Sequence, residues 1–105
     1  MTRVKIDPGV CGFSAVVTVE KQEGQNFSVK IESDCEMVQQ LGQEISSLTL
    51  KDAFIRFDNN RVYGKASSCL KHTACPVPSG ILKALEVEAG LAVPRNVTVK
   101  FLSEE

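Results

Sequence analysis

The sequence has no tryptophan, one tyrosine and one histidine, and aromatic residues fill 6% of its 105 positions. A groove for single-stranded nucleic acid needs aromatic faces beside clustered basic side chains, and here the basic residues are scattered. Twelve Lys and Arg oppose thirteen Asp and Glu, leaving a net charge of −1 and no basic patch for DNA, RNA or an anionic membrane. No apolar run approaches the ~20 residues of a membrane span. The opening "MTRVKIDPG" lacks the basic-then-apolar order of a secretory signal. There is also no phosphate-binding glycine loop, no Ser-His-Asp set and no carboxylate pair suited to acid–base work. These absences predict a cytosolic protein without nucleic-acid or membrane partners.

What is present suits one globular domain over residues 1–105, with 43% hydrophobic and 24% charged residues. "RVKI" alternates briefly before the turn signal Asp7-Pro8-Gly9. Phe13, Ala15, Val17 and Val19 then share one face, and Phe27, Val29 and Ile31 repeat the pattern beyond "EGQN". Two period-2 runs around a short glycine-containing loop predict an antiparallel hairpin. Ser33 and Glu36 have capping-box spacing ahead of a helix carrying Val38, Leu41 and Ile45, with Met37 beside that stripe. "LTLKDAFIRF" reads as a short helix begun by Thr49, with Phe54 and Phe57 inward, or as a strand. Val62, Ala66, Cys69 and Leu70 recur at helical spacing. Pro76 and Pro78 open a last helix with Ile81, Leu82, Leu85 and Ala89 inward, stopped by Gly90. Its Glu88 falls on the inner side and is expected to reach out to water. After Pro94, Val97, Val99 and Phe101 alternate as a final strand. The fold class is α+β and two-layered: a small, mainly antiparallel sheet of the hairpin plus the C-terminal strand, covered on one face by helices.

Cys11, Cys35, Cys69 and Cys75 form an even set. In a reducing compartment such a set points to buried small residues, metal ligands or reactive thiols rather than disulfides. Cys11 precedes the first hairpin strand and Cys35 follows the second, so both belong to the open end of the hairpin. A last strand returning parallel to the second would carry the N-terminus of its preceding helix, and Cys75, to that end too. Cys35 in one first helical turn and Cys75 at another N-cap would lie where unpaired N–H groups favour negative charge. "CLKHTAC" adds C-x2-H-x2-C spacing, with His72 as a fourth ligand or a surface residue. Cys69 sits on an apolar stripe and reads as core.

Cys75, Pro76 and Pro78 form C-P-x-P at a helix start, which resembles the signature of the TusA/SirA sulfur-carrier family. That resemblance implies a persulfide carried on Cys75 and handed between partner proteins. There, however, the motif follows the first strand, whereas here it precedes the last. The wider pattern "CGF", "SDC", "CPVPSGILKALEVEAGL" resembles a small uncharacterised prokaryotic family, and that resemblance implies no activity. Three readings stay open. Cys11, Cys35 and Cys75, with His72, Cys69 or an external ligand completing the set, hold zinc or an iron–sulfur cluster. Alternatively Cys75 is a metal-free nucleophile or persulfide carrier, or the cysteines merely pack within a structural or binding module. Packing alone is the commonest fate of cysteines, and among the functional readings the first leads, because it alone uses three converging thiols. A protein partner or small ligand is expected, whether or not the chain is an enzyme.

Overall fold

The alternation between residues 15 and 31 builds the centre of the sheet. In the computed structural model, which describes residues 1–103, β2 (Ala15–Lys21) and β3 (Asn26–Ser33) pair antiparallel with Val17 opposite Ile31 and Val19 opposite Val29. The "RVKI" segment forms β1 (Thr2–Ile6), antiparallel to β2 with Val4 opposite Val17 and Ile6 opposite Ala15. A short β4 (Ser47–Thr49) joins the far side of β3, so the strand order is β1-β2-β3-β4. Period-2 geometry puts Val4, Ile6, Ala15, Val17, Val19, Phe27, Val29 and Ile31 on one face. The opposite face carries Arg3, Lys5, Thr18, Glu20, Lys30 and Glu32 and is open.

Three helices cover the apolar face: α1 (Glu36–Glu44) over β3, α3 (Val77–Glu88) over β1 and β2, and α2 (Arg61–Cys69) against both helices. The α+β, two-layer class is the one the pattern predicts. Phe27, Leu41, Ile45, Leu48, Val62, Val77, Ile81 and Leu85 are sealed between the layers. Among the described residues no helix is long and apolar enough to cross a membrane.

Two predicted elements differ. Residues 93–103 make no strand pairing, so the sheet draws its outer strands from β1 and β4 rather than from the C-terminus. Alternation at Val97, Val99 and Phe101 makes a strand feasible but supplies no partner edge. The helix predicted from Thr49 is a 3₁₀ turn, Leu50–Ala53, closed by a reciprocal cap between Thr49 and Asp52. It ends before the phenylalanines, so Phe54 and Phe57 are 67% and 77% exposed instead of inward. The chain is then relaunched by Asn60, which is buried but fully partnered. Its amide donates to the carbonyls of Asp52 and Ile55, and its oxygen caps α2 by accepting from the Val62 N–H.

Gly42 and Gly80 explain how closely the helices sit on the sheet. A Cβ at Gly42 would stand 3.2 Å from the Cβ of Ile31, and one at Gly80 would overlap the Cγ1 and Cδ1 atoms of Ile6. Alanine favours a helix interior over glycine by about 1 kcal/mol. At Gly80 the overlap, against a β-branched side chain with few rotamers, outweighs that gain. Gly80→Ala is therefore expected to lower unfolding free energy by about 1 kcal/mol in urea titrations. Adding Ile6→Val, which removes Cδ1, should make the double variant less destabilised than the sum of the singles.

Candidate functional site

The site lies at the open end of the β2–β3 hairpin. Residues 7–14 cross that end as a loop built from two tight turns. Asp7 Oδ1 accepts from the Gly9 N–H at 3.1 Å, and the Gly12 N–H donates to the Gly9 carbonyl at 3.0 Å. Both glycines have positive φ, 90° and 73°, a conformation costly for other residues. Cys11 sits between them, exposed.

Cys35 is held more firmly. Ser33 Oγ donates to the Ser14 carbonyl at 2.9 Å and accepts from the Cys35 N–H at 3.1 Å, tying the two strand ends together. Gln39 reinforces this corner by donating to the Ser33 carbonyl at 2.8 Å. The predicted capping box between Ser33 and Glu36 does not form, because Ser33 Oγ is engaged two residues on. Cys35 itself is the N-cap of α1 rather than a residue of its first turn. It is half-buried.

Cys75 reaches the same end because α3 runs opposite to β1. Gly80, near its start, lies against Ile6, and Glu88 at its finish bonds to Thr2. Cys75 therefore reaches this end through the direction of α3, without the returning strand that was expected to bring it there. Pro76 is the N-cap and Pro78 lies in the first turn, so Cys75 stands one position outside the cap where it was expected to be. A turn from His72 to Cys75, with the Cys75 N–H donating to the His72 carbonyl at 3.1 Å, folds the α2–α3 connection over the site. The Lys71 N–H points at the Met37 sulfur, 3.5 Å away, joining that connection to α1.

Cys11, Cys35, Cys75 and His72 all line one pocket of about 250 Å³. Its remaining walls are apolar: Pro8, Val10 and Phe13 from the loop, Met37 and Val38 from α1, and Leu70, Ala74 and Val77 from the α2–α3 region. Among the described residues no three His, Cys, Asp or Glu side chains stand together as a ready-made ion site. All four cysteines are free thiols. Cys69 is 6% exposed and packs in the core, as its stripe predicts; its neighbour Leu70 lines the pocket instead.

Sequence reasoning missed two residues. Met37 looks like the margin of a helical stripe, yet it forms the pocket wall beside Cys35; its place two residues after that cysteine was the available signal. Glu88 does not reach for water. Its carboxylate accepts from Thr2 Oγ1 at 2.6 Å and the Lys21 N–H at 2.9 Å, and lies 3.3 Å from the Met1 ammonium. The Thr2 hydroxyl, then the Lys21 amide, hold its pKa below the ordinary carboxylate value against the opposing effect of burial. It is a strut at the far end of α3.

No curated protein and no solved structure matches this chain. A family model does, over residues 2–101, spanning the loop, all four cysteines and the C-terminal segment. The chain belongs to the family of unknown function DUF6951.

Proposed function

We propose that this protein binds a thiophilic metal ion or an iron–sulfur centre at the open end of its sheet, through Cys11, Cys35 and Cys75 with His72 as the fourth donor. One observation carries the reading: four soft or borderline donors, from three separate stretches of chain, line a single pocket whose other walls are apolar. Thiolate and imidazole donors select zinc and iron–sulfur centres over hard cations. Apolar walls keep water from competing for the metal and leave no carboxylate to attract calcium or magnesium. Cys35 and Cys75 belong to framework positions, whereas Cys11 lies in the loop between Gly9 and Gly12. Cys11, Cys35, Cys75 and His72 would hold the metal, with Cys11 the donor that would have to move inward.

The absence of a ready-made trio favours a second reading, sulfur carriage on Cys75. There the Cys75 thiolate attacks the terminal sulfur of a donor persulfide. A new S–S bond forms at Cys75 as the donor's S–S bond breaks, and the donor leaves as thiolate.

Protein purified without oxygen separates the two by elemental analysis and absorption. One equivalent of zinc, or iron with sulfide and visible colour, supports the metal site, as does thiolate-to-metal absorption when Co2+ is added to the metal-free chain. Metal content below about a tenth of an equivalent together with no Co2+–thiolate band sinks it. An added sulfur mass mapped to Cys75 then supports the carrier.

A further inference from the structure

The C-terminal segment is the most exposed apolar stretch of the described chain. Val97, Val99 and Phe101 are 66%, 89% and 97% exposed. They alternate with Asn96, Thr98 and Lys100, the pattern of a strand with one apolar and one polar face. Among the described residues nothing pairs with it. At the end of α3 the Gly90 N–H donates to the Val87 carbonyl and the Leu91 N–H to the Glu86 carbonyl, with Gly90 at φ 76°. This closing motif, followed by Pro94, ends the helix and sends residues 94–103 away from the domain. The molecule measures 51 Å along its longest axis against 28 and 25 Å across.

A vacant edge of matching size exists. β1 is an outer strand of five residues, and the alternating part of the arm, 97–101, has the same length. Half of the N–H and C=O groups of such an edge point outward unpaired. The apolar side of β1 presents Thr2, Val4 and Ile6 beneath α3. α3, whose Gly80 lies against Ile6, covers that side of β1. An added strand would set Val97, Val99 and Phe101 on the helix-covered side of the sheet and turn Thr98 and Lys100 to the open polar face. The family match runs through Phe101, so the arm is part of the shared module.

We propose that residues 97–101 of one chain pair with the β1 edge of a second copy, the two arms being exchanged in a symmetric dimer. Each four-stranded sheet then gains a fifth strand, and its aggregation-prone edge is closed.

Sedimentation equilibrium of the full chain under reductant, which excludes disulfide dimers through Cys11, tests this with hydrogen exchange on the same samples. The expected mass is twice 11.4 kDa, with amides 97–101 protected only at concentrations where the dimer forms. A chain ending at Pro94 should sediment as a monomer. If that truncation fails to fold, the full-length variant Val99→Lys decides, with dimer affinity expected to fall at least about tenfold. A full chain that stays monomeric overturns the proposal, whether its arm amides exchange freely or are protected on its own edge. So does a truncated or Val99→Lys chain that dimerises as tightly as the full sequence.

Discussion

Cys75→Ser is expected to weaken Zn2+ or Co2+ binding by at least about a hundredfold while leaving the fold intact. Loss of an outer-sphere partner alone typically costs 10–100-fold in metal affinity, and a serine oxygen is a poor substitute for a thiolate ligand. The fold should survive because Cys75 lies outside the α3 cap, half-buried, in a turn held by its own N–H rather than by its sulfur. Cys35→Ser should lose metal comparably. Cys11→Ser is the sharper test of how the proposed site assembles, since Cys11 is exposed on the loop between Gly9 and Gly12. Gly12→Ala, which penalises the 73° φ without touching a donor, should weaken binding less than any cysteine loss. Cys69→Ser is the internal control: its sulfur is in the core, so it should cost stability and spare metal. Competition against a chromophoric chelator, read beside far-UV circular dichroism, separates these outcomes. Equal metal affinity in the Cys75→Ser and parent chains would remove the metal reading.

The parts of this architecture that the sequence revealed are those set by near neighbours. The hairpin was legible because each of Val17, Val19, Val29 and Ile31 declares its face through the residue beside it. The last helix was legible because Pro76, Pro78 and Gly90 are terminus residues for local reasons. The sequence groups Cys11, Cys35 and Cys75 through a returning strand that does not form among the described residues. Sequence order puts Cys11 and Cys35 at one end of a hairpin, and α3 brings Cys75 there simply by running against β1.

What stayed hidden depends on distant partners. Alternation at 97–101 states a compatibility with a sheet but names no partner, and the segment leaves the β1 edge of its own chain unpaired. Gly42 has no local reason to stand inside a helix; its reason is β3, where the missing side chain admits Ile31. Ser33 had the spacing for one local cap but was engaged by Ser14, 19 residues earlier. That the thiols line one pocket is likewise a property of its walls, which three stretches of chain build together.

Glu88→Ala is expected to reduce unfolding free energy by about 2 kcal/mol at neutral pH, with Glu88→Gln losing about half as much. Glu88 bonds to groups 86 and 67 residues away, joining the end of α3 to the start of β1 and the end of β2. Charge-assisted hydrogen bonds contribute more than neutral ones, and glutamine keeps an acceptor while losing the charge. The pH dependence follows from the direction of the shift. Because folding lowers this carboxylate's pKa, its contribution is complete above the ordinary glutamate value of about 4.3 and disappears as pH falls through the lower, folded value. Urea midpoints of parent and Glu88→Gln should therefore differ most at neutral pH and converge as pH falls below the ordinary glutamate range. Since the strut is at the opposite end of α3 from Cys75, metal affinity should be unchanged in either variant. A gap between the two curves that stays constant across that range would mean Glu88 stabilises by shape alone, with no contribution from its charge.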